Sequence, residues 1–397
     1  MTRSSFLAKA TAVLALALAG SPAAAACDAA NTYNFAFSSV PAATLNYAST
    51  YTYTASNALS ATQNFTTSFA VNGLSSTVIA GVQMPAIGNL ITSGAGANTL
   101  VVGGVLSGRT ATITSATRVM AVTFTFAIPI RDFSITVHDI DFNSNQYRDW
   151  FFVSGSNGAA TYTPALSTPF NTNNGAGPRS AAGSSLTLGP AVTPFNISAS
   201  EGVGTGASGN NGVTTGDIAV SFAQPVTSIT LRYGNYPLQA GETATGQQGY
   251  GISALSFCPL PSLSVAKSSA PYATTGPDRF NAPGSDVVYT LTATNSGGSP
   301  VDLNTTVLAD ILPANVTFYN GDFNPALPGS GPIELTAGTS GVTMPGGSTT
   351  YSNNNGTSYA YTPAAGYDAA VDAVRFAPAG SLAANSSFSI RFRARIN

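Results

Sequence analysis

Hydrophobic residues in this chain recur at every second position, and few patterns narrow the choice of fold so far. In VTFTFAIPI, Val122, Phe124, Phe126, Ile128 and Ile130 share one parity, and in DFSITVHD so do Phe133, Ile135 and Val137. The same holds for Ile218, Val220 and Phe222, for Ile229, Leu231 and Tyr233, and for Leu255 and Phe257. Side chains on a strand point alternately to its two faces, so each run describes a strand with one face buried and the other in water. Gly, Asn and Pro clusters separate the runs, and no segment after the first 26 residues keeps a helical period. The pattern predicts an all-β chain, with a jelly-roll-like β-sandwich over residues 27–258.

CPLPS, at 258–262, breaks this series, and its prolines make residues 259–262 a stiff linker. A second pattern occupies 263–397. Val287, Tyr289, Leu291 and Ala293 take the inward parity there. In the last run Phe388, Ile390, Phe392, Ala394 and Ile396 point one way and Ser389, Arg391, Arg393 and Arg395 the other. Outward arginines of this kind read either as a ligand-binding stripe or, more commonly, as charge on an exposed or edge strand that deters edge-to-edge pairing.

Three segments of this second pattern, LSVAKSS, PGSDVVYTLTATNSGGSPVD and VLADILPANVTF, carry Lys267, Tyr289, Asn295, Gly297, Asp310 and Pro313 in order. They resemble the bacterial surface-protein repeat known as domain of unknown function eleven. The resemblance covers about the last third of the chain, in one copy where the family often has tandem arrays. It implies an immunoglobulin-like β-sandwich over 263–397 and a place outside the cell or in its envelope, but no chemistry. The first domain is only loosely similar to sandwich domains of exported Gram-negative proteins, whose strands carry a DID element.

The first residues fit an exported chain. Arg3 and Lys9 give a positive start, Ala12 to Ala19 an apolar segment and Ala23 to Ala26 a small-residue cleavage region, so 1–26 reads as a cleaved signal peptide. Ala24 lacks the bulk that lipidation at Cys27 favours, so plain secretion is expected. No later stretch is long and apolar enough for a transmembrane segment in the mature chain. A secreted, periplasmic or cell-surface location follows, and with it a disulfide between the two cysteines, Cys27 and Cys258. Charged residues make up only 8% of the chain, against about 25% in ordinary soluble domains. With a formal net charge of −2 and no basic block, nucleic acid is excluded as a partner class.

VHDIDFNSNQYRDW, at 137–150, concentrates the chemistry: the sole His, the sole Trp and three acids. Period two would carry Asp139, Asp141, Asn143 and Asn145 onto the core face, so the strand is expected to end or bulge near Asp139, where the chain enters a loop. Together with Asp149 these five residues form an oxygen-rich set suited to Ca²⁺. The spacing resembles the first half of an EF-hand loop but has Ser144 at the turn glycine and Trp150 at the closing glutamate. A calcium loop here would be closed by Asp149 or by a distant acid such as Asp217. The alternative is a solvated turn in which Arg148 or Arg131 pairs with an aspartate.

Catalysis finds less support. One His cannot build a zinc site, no G-x-S-x-G occurs, and His138, on the parity of Ser134 and Thr136, reads as a surface histidine. GTGASG, at 204–209, lacks the strand and helix of a phosphate loop. Tyr233 and Tyr236 suit a core rim better than a sugar-stacking site. Lys267 would point inward on a strand, and three outcomes relieve that charge: snorkelling to the rim, pairing with an acid such as Asp310, or an isopeptide cross-link to an Asn. The function expected is a structural or adhesion-type protein without catalytic activity, facing an extracellular glycan or envelope component. A calcium-dependent carbohydrate-binding module is the alternative. A glycosidase would need Asp139 and Asp149 at the carboxylate spacing of that chemistry.

Overall fold

The computed structural model describes residues 27, 29–92, 97–115, 117–143, 147–167, 178–180, 185–186, 195–204, 214–238, 242 and 246–397, with 143, 178–180, 185–186, 195–196 and 215 by backbone alone. The proposed signal peptide, Asn145 and residues 205–209 lie outside them. The protein is all-β: strands are joined by loops and short 3₁₀ turns, and no described helix is long and apolar enough to cross a membrane. Residues 26–260 and 261–397 form two compact units.

In the first unit the strands that matter are β1 (Tyr33–Ala36), β2 (Thr50–Ser56), β3 (Thr62–Asn72), β4 (Thr99–Leu106), β5 (Val119–His138), β6 (Tyr147–Asn157), β7 (Ile218–Ser221), β8 (Val226–Asn235) and β9 (Gln247–Pro259). β5 organises them. Its first half lies between β3 and β8, and β2 and β6 extend that set on either side. Its second half lies between β9 and β7, and β9 also carries β1 and β4. The changeover is an irregularity between Thr125 and Ile130, where the register on β8 slips. Pro129 sits at that break, as a residue without an N–H must.

The parity rule holds on both sides of the break and fails at it. Val122, Phe124, Phe126, Ile130, Phe133, Ile135 and Val137 are all buried, whereas Ile128 is only half-buried. Phe126 joins the two halves, with its ring 5.9 Å from Phe65, 4.7 Å from Phe257 and 6.1 Å from Phe133. Each such ring contributes about 2–3 kcal/mol of apolar burial. Cys27 and Cys258 are disulfide-bonded, with Cα atoms 6.2 Å apart.

The solvent face of the first set is as regular as its core face. Paired residues place Thr52, Thr66, Thr125, Ser228 and Ser156 in one row across β2, β3, β5, β8 and β6. A second row runs Thr50, Ser68, Thr123, Thr230 and Ser154. None of the ten is buried. Hydroxyls thus repeat about every 4.8 Å across the strands, in rows about 6.8 Å apart.

The second unit contains β10 (Leu263–Pro271), β11 (Asp286–Asn295), β12 (Leu308–Ile311), β13 (Val316–Asn320), β14 (Ile333–Thr336), β15 (Thr349–Ser352), β16 (Gly366–Asp368), β17 (Ala373–Phe376) and β18 (Ser386–Ile396). One sheet has the order β10, β11, β18, β13, β16, with β14 also on β18, and a smaller one has β12, β17, β15. Val287, Leu291 and Ala293 pack with Phe388, Ile390, Phe392 and Ala394 in a shared core.

The arginines of β18 are not edge guards. β18 is a central strand, paired with β11, β13 and β14. Arg393 and Arg395 both pair with Asp286, which is fully buried, and Arg391 meets Glu334 at 2.7 Å. Tyr272 and Tyr319 flank the Arg393 guanidinium at 4.1 and 4.3 Å, so its charge is met by a carboxylate and by ring faces.

Candidate functional site

β5 ends at His138, and Asp139 follows in a left-handed conformation (φ 66°) that turns the chain out of the sheet. Ile140 then drops into the core, and Phe142–Asn143 pairs with the start of β6. The strand therefore stops where period two demanded it.

Two close approaches by glycine complete the local structure. A Cβ on Gly216 would lie 2.7 Å from the Asp139 Cα, and Ile140 donates its N–H to the Gly216 carbonyl at 2.9 Å. A Cβ on Gly204 would fall inside the Asp141 carbonyl group. Only glycine permits backbones to pass so near. Gly204 ends a strand, Glu201–Gly204, that pairs with β6, so the GTGASG segment starts as sheet.

These contacts gather acids. Asp141 and Asp149 are buried; Asp149 accepts the Asp141 N–H at 3.0 Å and a short hydrogen bond from the Tyr233 hydroxyl. Burial first, and then the Asp141 charge, holds the Asp149 carboxyl well above its usual range. Burial, Asp141 and Asp217, in that order, push Asp139 up to about 8. Among the described residues no three His, Cys, Asp or Glu side chains stand in a group able to hold a metal ion. The structure thus brings Asp139, Asp141 and Asp149 close enough that the Asp141 charge disfavours ionisation of the other two. The Asn143 side chain and Asn145 lie outside the described residues.

Arg148 is also buried, where the sequence suggested a solvated turn. Its guanidinium stacks 3.6 Å over the Phe142 ring, contacts Glu242 at 2.5 Å and donates to the Gly204 carbonyl at 2.6 Å. Arg109 reaches the other Glu242 oxygen at 3.4 Å. Tyr233 is in the core, not at its rim, while Tyr236 packs edge-on against Trp150 at 4.8 Å.

His138 departs furthest from expectation. It does lie on the parity of Ser134 and Thr136, but the 214–217 turn held by Gly216 covers it, leaving 3% of it exposed. Its Nδ1 is 2.9 Å from an Asp217 carboxylate oxygen and its Nε2 is 2.9 Å from the Ser253 hydroxyl. Asp217 and Ser253 lie 79 and 115 residues away in sequence, so no local motif marks them. The one signal was Asp217 itself, a rare acid in a Gly-rich turn.

In the second unit Lys267 is bonded to Asp310 at 2.7 Å and lies 4.4 Å from the Tyr289 ring centre. Of the three outcomes for its charge this is the pairing. Leu263 on the same strand is exposed. Asn295 is fully buried; it donates to the Ser299 carbonyl and accepts the N–H groups of Ser262 and Gly297. No family model matches this chain, and no curated protein does.

Proposed function

We propose that this is an exported structural or adhesion-type protein of the cell envelope or its surroundings, with the signal peptide at 1–26 removed. Its first unit is a jelly-roll-like β-sandwich and its second an immunoglobulin-like one of the domain of unknown function eleven kind. The observation that carries the reading is the pair of five-residue hydroxyl rows across β2, β3, β5, β8 and β6. An uncharged grid of donors and acceptors can exchange hydrogen bonds with a neutral polysaccharide without first stripping water from ions. Binding of the full chain to a panel of insoluble neutral and acidic polysaccharides tests this. Retention on neutral polymers, weakened when Thr66, Thr125 and Ser228 are replaced by lysine and insensitive to salt, is the expected result. Retention only on charged polymers would overturn it.

The acid cluster favours a second reading, a calcium-dependent carbohydrate-binding module. Asp139, Asp141 and Asp149, with Asn143 and Asn145 between them in sequence, are the hard-oxygen types Ca²⁺ takes, and a bound cation would offset the burial and the neighbouring charges that raise Asp139 and Asp149. Polysaccharide retention that vanishes in chelator and returns with Ca²⁺ would select this reading over the first.

A further inference from the structure

β9 does not run evenly along β5. Val137 is paired with Ile252 and Ile135 with Leu255, so one residue, Thr136, is opposed by two, Ser253 and Ala254. A bulge of this kind re-aims a side chain without breaking the sheet. Here Ser253 is brought to His138 Nε2 at 2.9 Å, while Nδ1 of the same ring is 2.9 Å from Asp217. His138 and Asp217 are buried, and Ser253 is half-exposed. Ser253 opens onto a depression of about 510 Å³ lined also by Asn34, Thr54, Ser56, Ser134 and Thr136, with no charged side chain in its wall.

We propose that Ser253, His138 and Asp217 form a nucleophilic serine centre that takes acyl esters of neutral polyols. With its Nδ1–H donated to Asp217, the imidazole presents an unprotonated Nε2 to the Ser253 hydroxyl. The Ser253 oxygen bonds to the ester carbonyl carbon and its proton passes to Nε2. Asp217 faces the imidazolium so formed. The carbon–oxygen bond to the polyol then breaks, and the polyol oxygen leaves with the Nε2 proton. Water repeats the sequence on the acyl-serine, releasing the carboxylic acid and restoring Ser253. Thr136, across the bulge, brings a hydroxyl donor to the same depression for the carbonyl oxygen. The wall, in which hydroxyls and one amide stand beside Phe35, Ile135 and Leu255 and no group is charged, suits a sugar-like alcohol and offers nothing to an ionic one.

The depression contains its own controls, because Ser134 and Ser256 line it as well. A histidine that merely filled its hydrogen-bond needs would leave the three serines equally inert. The test is reaction of the full chain with a fluorophosphonate probe, the adduct located by peptide mass spectrometry, followed by acetate release from O-acetylated xylan. Ser253 should react on the order of a hundredfold faster than Ser134 or Ser256, the range a general base supplies. Ser253→Ala should abolish both the adduct and acetate release with the melting temperature kept. Asp217→Asn should slow the adduct about tenfold or more. If Asp217→Asn fails to fold, the comparison among the three serines in the wild-type chain decides alone. Equal labelling of the three, no adduct on Ser253, or acetate release unchanged in Ser253→Ala overturns the proposal. An adduct on Ser253 without acetate release overturns the ester assignment.

Discussion

Asp139→Asn should stabilise the first unit, and by an amount that grows with pH. The carboxyl is pushed from 3.8 to about 8 by burial and by the charges of Asp141 and Asp217. Between those values the folded state holds a proton that the unfolded chain has lost, so stability falls as pH rises through the interval. At about 1.36 kcal/mol per unit, keeping that proton costs the folded state about 4 kcal/mol at pH 7 and about 0.5 kcal/mol at pH 4. Asparagine keeps the size, is neutral without taking up a proton and accepts the left-handed backbone at φ 66°. At about 2–4 °C per kcal/mol for a unit of this size, the variant should melt roughly 10 °C above wild type at pH 7, with little difference at pH 4. Trp150 is the sole tryptophan and is buried in β6, so its fluorescence reports first-unit melting alone. A difference independent of pH, or a variant less stable than wild type at pH 7, would refute the assignment of a strained carboxylate. On the calcium reading, Ca²⁺ should raise the wild-type melting temperature at pH 7 and narrow the gap to the variant.

Non-reducing peptide mapping should recover Cys27 and Cys258 in one linked species, and Cys27→Ser should cost the first unit about 5 kcal/mol, given a loop of 231 residues in the chain-entropy account. Asp286→Ala should destabilise the second unit by about 3–5 kcal/mol in urea melts, because Arg393 and Arg395 lose their shared buried carboxylate; an effect below about 1 kcal/mol would show that the rings of Tyr272 and Tyr319 suffice as partners of Arg393. Intact mass of the chain should equal the calculated value, since the Lys267 ammonium is held by Asp310; loss of one ammonia, restored by Lys267→Ala, would instead establish the isopeptide.

What the sequence discloses and what it conceals divide by distance along the chain. Val122, Phe124 and Phe126 announce a strand because their parity is a local property, and Asp139 announces its end for the same reason. The 20-residue length of β5 and its service to two sets of partners are not local. Neither is the burial of His138, since the turn that covers it comes from Thr214–Asp217 and the serine that meets it from β9. Arg391, Arg393 and Arg395 show the limit most plainly: an outward arginine stripe has the same spelling on an edge strand as on a central strand facing Asp286. The acids at 139–149 could be found by composition, but their mutual repulsion depends on Gly204 and Gly216 letting two other segments press against the loop.

The bond between Cys27 and Cys258 also decides how the protein carries load. Tension applied between residue 27 and the second unit crosses from one cysteine to the other and enters β10 through residues 259–262, so the chain between the cysteines lies outside the force path. While the bridge is intact the first unit cannot be unravelled from its ends, and a pull that extends the second unit leaves β5, its aromatic core and its hydroxyl rows in place. Reduction would convert the same segment into slack that pays out when pulled, which single-molecule stretching would register as added contour length.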